Sequence, residues 1–222
     1  MNEVFIFWPI IIDGTLTTIK LTLASGVVAL IISFTVGLAR LSRYWVVRAI
    51  ATIYLEFFRG TSAIVQMFFM YFVLPLLGVF LPALMAGIVA CGFNLGAYGS
   101  EVVRASVQSV GREQREAAKA LNYTNFQLYR YVLIPQAIPV MIPSFGNLVI
   151  ELLKLTAVAS LITISDLTFM SQIIRVQTAL TLEPLILIMV IYFILSSILV
   201  SGTKWLERYF SAGRNIHKSG GN

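Results

Sequence analysis

Residues 112–135, REQREAAKALNYTNFQLYRYVLIP, are the longest charged segment of this 222-residue chain, and strongly apolar sequence lies on both sides of it. Its signs alternate through Arg112, Glu113, Arg115, Glu116 and Lys119, with Ala117, Ala118 and Leu121 between them. No catalytic constellation is identifiable among them. Arranged on a helix, they offer a small apolar cluster for insertion into a partner's groove, with a charged rim around it. Three other places hold side chains suited to binding. Glu56 and Arg59 are spaced i,i+3, as are Glu151 and Lys154, and Asn94 lies among Gly92, Gly96 and Gly99. Pairing on one helix face lowers the cost of placing charge near or within a membrane. For Glu56 and Arg59 we expect a structural ion pair. Two readings stand for Glu151 and Lys154, a helix-internal pair or a polar border of a solute path. Asn94 likewise serves either a close helix contact or such a path.

Catalytic constellations are missing. The chain has no G-x-x-x-x-G-K-[ST] phosphate loop, no H-E-x-x-H and no G-x-S-x-G elbow. His217 is the sole histidine and Cys91 the sole cysteine, so neither a histidine-based metal site nor an intrachain disulfide is expected. The chain is not expected to be an enzyme, to bind a metal or to hydrolyse a nucleotide.

The elements that position these residues follow from composition. Hydrophobic residues make up 58% of the chain and charged residues 12%, against roughly 45–50% and about 25% in a soluble domain. That departure indicates an all-α integral membrane protein. Apolar runs place five transmembrane helices at about 15–39, 60–77, 83–103, 141–164 and 185–202, after a short interfacial lead over 1–14. A large loop, 104–140, carries the charged segment, and residues 208–222 form a basic tail. Arg40, Arg43 and Arg48 form one basic group, Arg104, Arg112, Arg115, Lys119 and Arg130 a second, and Lys204, Arg208, Arg214 and Lys218 a third. The segments between them on the other side carry only Arg175. That asymmetry puts the N-terminus outside and the C-terminus in the cytoplasm. It also explains the net charge of +6 without a nucleic-acid partner. Five helices are few to enclose a polar path, so a dimer of ten is expected. These observations alone leave open an ATP-driven subunit, an ATP-independent channel or secondary-transporter subunit, and a membrane scaffold.

The charged loop resembles the signature of permease subunits of binding-protein-dependent ABC importers: Glu-Ala-Ala, three residues, Gly, nine residues, Ile, one residue, Leu-Pro. Glu116-Ala117-Ala118 is followed at that spacing by Asn122, Val132, Ile134 and Pro135. Asn stands where the family has Gly and is the residue next most tolerant of a left-handed turn. Gly14-Thr15, EFFRGT at 56–61, AYGSEVVR at 97–104, Gln114, Pro135-Gln136-Ala137 and KLTAVAS at 154–160 resemble the polar amino-acid branch (histidine, glutamine and arginine types). Ser62, Glu113 and Ala157 depart from it, standing where Pro, Gly and Ser are usual. RGTS at 59–62 with residues 145–169 is similar to the ectoine and hydroxyectoine permease subgroup.

The resemblance covers about residues 14–207 and implies a type I ABC importer permease domain over 15–207 in the bacterial cytoplasmic membrane. It implies four partners: a cytosolic ABC ATPase dimer, a second permease subunit, an extracytoplasmic solute-binding protein and membrane lipid. ATP and Mg²⁺ belong to the ATPase, and this chain holds no cofactor. Glu116, Ala117, Ala118, Leu121, Asn122 and Pro135 are then expected to couple the ATPase to the spans, while Asn94, Glu151 and Lys154 border a solute path.

Overall fold

The computed structural model describes residues 7–212, and every regular element among them is helical. Helix α1 runs over Trp8–Ala39. It is followed by α2, Trp45–Gly60, and α3, Ala63–Phe68. Helix α4 spans Ala83–Ser109, and the short α5 spans Arg112–Ala120. A capped turn, Asn125–Gln127, and a wide turn, Leu128–Leu133, lead into α6, Ile134–Thr156. Helix α7 covers Leu167–Thr178 and α8 covers Leu182–Ala212.

Among the described residues, four stretches are long and apolar enough to cross a membrane: Trp8–Ala39, Ala83–Ser109, Asn125–Ile162 and Leu182–Phe210. A fifth crossing results if α2 and the Ala63–Leu77 segment, bent by 102° against each other, are counted as one span. The break explains the difference from the expected span at 60–77. Trp45–Gly60, which falls between the expected spans at 15–39 and 60–77, is a continuous amphipathic helix. Val46, Ile50, Ile53 and Phe57 form one exposed apolar stripe on it, and Ala51 and Leu55 are buried.

The ends also differ from expectation. Helix α1 starts at Trp8 rather than near residue 15, because Pro9 falls in its first turn, where the missing N–H costs no helical bond. Much of the expected loop 104–140 is helical, and α6 begins at Ile134 and carries Pro139 and Pro143 inside it. Residues 1–6 of the lead and 213–222 of the tail, including Arg214, His217 and Lys218, lie outside the described residues.

Helices α1 and α4 form the centre and pack along most of their lengths. Small side chains make that possible. A Cβ at Gly92 would lie 2.6 Å from Val28 Cγ1, and one at Gly96 would lie 2.6 Å from Ile32 Cγ2. Ser33 Oγ, buried in the seam, donates to Ala29 O at 2.6 Å and approaches Gly96 O at 3.4 Å. Backbones brought this close gain van der Waals contact, the main source of helix association where lipid removes the hydrophobic driving force.

Three buried clusters follow one another along this pair. Ile11, Leu167 and Ile174 hold the start of α1 against α7. Leu21, Ala90, Leu95, Leu152 and Ile162 make the middle. Val103, Val107, Ala118, Leu133 and Met141 close the end that carries α5. Helix α8 stands at the edge, packed on α6 and α7, with Met189, Phe193 and Ile198 exposed.

Candidate functional site

Helix α5 is a built element rather than a loose loop. Glu113 lies in its first turn and Lys119 in its last, each complementing the helix dipole. Asn122 ends the helix with φ 56°, in the left-handed region. The N–H of Asn122 donates to Lys119 O at 2.9 Å, and that of Tyr123 donates to Ala118 O at 3.0 Å. These two bonds are a Schellman closure, so Asn occupies a position that favours Gly because its backbone is left-handed.

The two alanines of the Glu-Ala-Ala triplet face opposite ways. Ala117 is exposed, as is Leu121, whereas Ala118 is 4% exposed and packs into the cluster of Val103, Val107, Leu133 and Met141. The expected insertion cluster of Ala117, Ala118 and Leu121 is therefore corrected. Ala118 anchors α5 to its own bundle because its 3.6-residue period points it at α4 and α6. Of that cluster Ala117 and Leu121 stay exposed, and Phe126 is 71% exposed as well. Phe126 does not stand out in the sequence because Tyr123, Leu128, Tyr129 and Tyr131 surround it; the Thr124–Gln127 capping box marks the turn that holds it.

Polar ties complete the mounting. Arg115 Nη2 donates to Val107 O at 2.7 Å, satisfying a carbonyl in the last turn of α4. Gln136 Nε2 donates to Gln114 Oε1 at 3.3 Å, joining α5 to the first turn of α6, where Pro135 is exposed. Glu116 accepts from Arg112 Nε at 2.7 Å on the open surface. Helix α5 is thus fastened to the near ends of α4 and α6.

The same two helices wall a cavity of about 390 Å³ at the break between α2 and α3. Arg59, Thr61, Asn94, Tyr98, Glu151 and Leu155 line it. The break frees main-chain carbonyls that must find partners away from water. Phe58 O accepts from Asn94 Nδ2 at 3.0 Å and from Gln66 Nε2 at 3.0 Å, and Gln66 Nε2 also reaches Thr61 Oγ1 at 2.7 Å. Asn94 therefore caps α2 and borders the cavity at once.

Glu56 and Arg59 do not form the expected ion pair among the described residues; Arg59 lies over the Tyr98 ring, 5.4 Å from its centroid. A surface i,i+3 pair is worth only a few tenths of a kcal/mol, less than a cation over an aromatic face. Glu151 reaches the cavity, but Lys154, exposed one turn further on, is not among its lining residues and makes no ion pair with Glu151. Sequence spacing alone could not reveal the role of Arg59, since its partner Tyr98 lies on α4. Beyond the Arg59–Tyr98 pair lies a second cavity of about 520 Å³, also lined by Ser106, Ser144 and Leu148. One guanidinium–ring pair thus borders both spaces.

Comparison with known proteins gives a consistent pattern. Residues 29–211 match the family described as the binding-protein-dependent transport system inner membrane component. A probable amino-acid ABC transporter permease protein, y4tF, of Sinorhizobium fredii is 41% identical over 206 residues, covering 86% of this chain and 87% of that protein. A putative glutamine transport system permease protein, GlnP, of Rickettsia typhi is 32% identical over 206 residues, covering 91% and 94%. Among solved structures, an amino acid ABC transporter crystallised with histidines superposes with a TM-score of 0.87 at 34% identity, covering 94% of this chain and 97% of that one.

Proposed function

The chain belongs to the family of binding-protein-dependent transport system inner membrane components, and from that premise we propose that it forms, with a second permease subunit, the path of an importer for a polar amino acid or an amino-acid-like compatible solute. It is a permease subunit, not an enzyme, and an inner-membrane protein with several crossings. Within the solute class, ectoine or hydroxyectoine is the narrowest reading, supported by RGTS at 59–62 and by the sequence of residues 145–169. The N-terminus lies outside and the C-terminus in the cytoplasm, supported by the basic groups at one end of the helices.

One observation carries the mechanism: α5 is fastened to α4 and α6, the helices that wall the cavity. A cytosolic ATPase gripping Ala117, Leu121 and Phe126 moves α5 when its two halves close on ATP. Arg115 and Ala118 pass that displacement to the last turn of α4, and the Gln114–Gln136 bond passes it to the first turn of α6. The cavity between them then changes its opening. A zwitterionic solute suits its lining, with Arg59 offered to a carboxylate and Glu151 to an ammonium group. An extracytoplasmic binding protein delivers the solute, and ATP with Mg²⁺ stays on the ATPase.

The test is reconstitution of the chain with its ATPase and binding protein in liposomes, with uptake of glutamine, histidine, arginine, ectoine and hydroxyectoine measured with and without ATP. ATP-dependent uptake of one of these is expected. Ala117→Glu should abolish uptake and ATPase co-purification while membrane insertion persists. Uptake without ATP by the chain alone would favour the channel reading, and normal uptake by the Ala117 variant would remove the docking role.

A further inference from the structure

At the end of the bundle that carries α5, a separate cleft of about 360 Å³ opens between the end of α1, the first turns of α2 and the last turns of α4. Its lining is polar and basic: Arg40, Ser42, Arg48, Thr52, Arg104 and Gln108. We propose that this cleft binds the phosphate headgroup of an anionic phospholipid.

Charge is the first argument. Three guanidinium groups line the cleft and no carboxylate does. Glu101, just beside it, holds Arg40 and Arg104 through ion pairs, with both its oxygens 3.1 Å from Arg104 Nε. One carboxylate against three cations leaves a surplus of two positive charges. The Arg48 main chain bonds within α2, but its guanidinium makes no hydrogen bond or ion pair among the described residues, so its fork of donors is open to a phosphate. Glu101 also fixes the neighbouring guanidiniums in place, which lowers the ordering cost of binding.

Place is the second argument. The cleft lies beside the connection between α1 and α2, where Tyr44 is 58% and Trp45 72% exposed. Exposed aromatic residues at the end of an apolar helix mark the headgroup level of a bilayer. The apolar stripe Val46, Ile50, Ile53 and Phe57 lies on the face of α2 away from Arg48 and Thr52, so α2 rests between lipid and the cleft. Leu41 and Ser42 are shared with a larger, mainly apolar groove of about 1060 Å³, also lined by Leu38, Ile134 and Ile138, with room for an acyl chain. A basic pocket between helices beside an apolar groove fits a phospholipid better than a soluble anion or an acidic protein segment.

The assembled transporter, purified in detergent, would be titrated with phosphatidylglycerol and its retained lipid counted by native mass spectrometry. Arg48→Gln should weaken retention about fivefold, the loss expected for one basic residue at the headgroup level. Arg208→Gln, removing an exposed charge from α8 at the same end, should leave retention unchanged. The proposal fails if Arg48→Gln retains lipid like the parent, or if both variants lose it equally, which would indicate diffuse surface charge. It fails too if inorganic phosphate at matched concentration displaces the lipid, making the cleft a soluble-anion site. Loss of ATPase co-purification in Arg48→Gln with lipid retention intact would make it a protein dock instead.

Discussion

Arg115 of α5 donates from Nη2 to the main-chain carbonyl of Val107 at 2.7 Å, so a side chain of α5 closes the last turn of α4. The bond joins the exposed face of α5 with the helix that carries Asn94 and Tyr98 into the cavity. A charged donor on a half-buried carbonyl is worth about 1.5–3 kcal/mol.

Arg115→Met should therefore separate docking from transport. ATPase co-purification is expected to persist, since Ala117 and Leu121 are untouched, while ATP-dependent uptake falls by roughly tenfold or more. Equal uptake in parent and variant would show that Ala118 alone carries the motion.

The end of α5 makes a second expectation. Asn122→Val forces a β-branched residue into the left-handed region and should cost about 1–2 kcal/mol or more locally, whereas Asn122→Gly should be neutral or slightly stabilising. Hydrogen exchange at the Asn122 and Tyr123 amides reads this directly. Matching protection in the Val and Gly variants would contradict the closure.

Glu151 should act on solute affinity and not on assembly. Glu151→Gln removes the only carboxylate in the cavity lining, and KM for a solute bearing an ammonium group should rise about tenfold. ATPase co-purification should not change. An unaltered KM would return Glu151 to a structural role.

Asp166 offers a pH dependence. It lies in the connection before α7, buried, and its carboxylate accepts from Phe169 N–H at 2.9 Å as an N-cap. Burial pushes its pKa above the ordinary aspartate value, against the pull of its hydrogen bonds. Between the unfolded and the folded pKa the native chain binds a proton that the unfolded chain releases. The contribution of Asp166 to stability is therefore largest at acid pH and declines as pH rises through the folded value. Asp166→Asn keeps the cap and loses the titration. The difference in melting temperature, parent minus variant, should grow as pH is lowered towards the aspartate range; a pH-independent difference would rule out the effect.

The helical class and the number of apolar stretches were legible because lipid demands long apolar runs, and such runs show in sequence at once. The left-handed turn at Asn122 was legible from the resemblance to the importer signature, which has Gly at that position. The facing of Ala118 was not, since Ala117 and Ala118 are chemically identical and only the packing of α4 and α6 decides which is inside. Arg59 was misread for a related reason. Its i,i+3 neighbour Glu56 is visible in the sequence, but Tyr98, 39 residues away, is brought beside it only by the packing of α2 on α4. Sequence proximity finds local pairs, and helix packing makes non-local ones.

The break after α2 has one further consequence. The carbonyl it leaves bare at Phe58 already has two protein donors, Asn94 and Gln66. On the solute path proposed above, an arriving solute does not have to mend the helix or displace water from that oxygen. The hydration cost of entry on that path then falls on the solute and on the charged side chains Arg59 and Glu151, and the wall can exchange one cargo for the next without rebuilding its own backbone bonds.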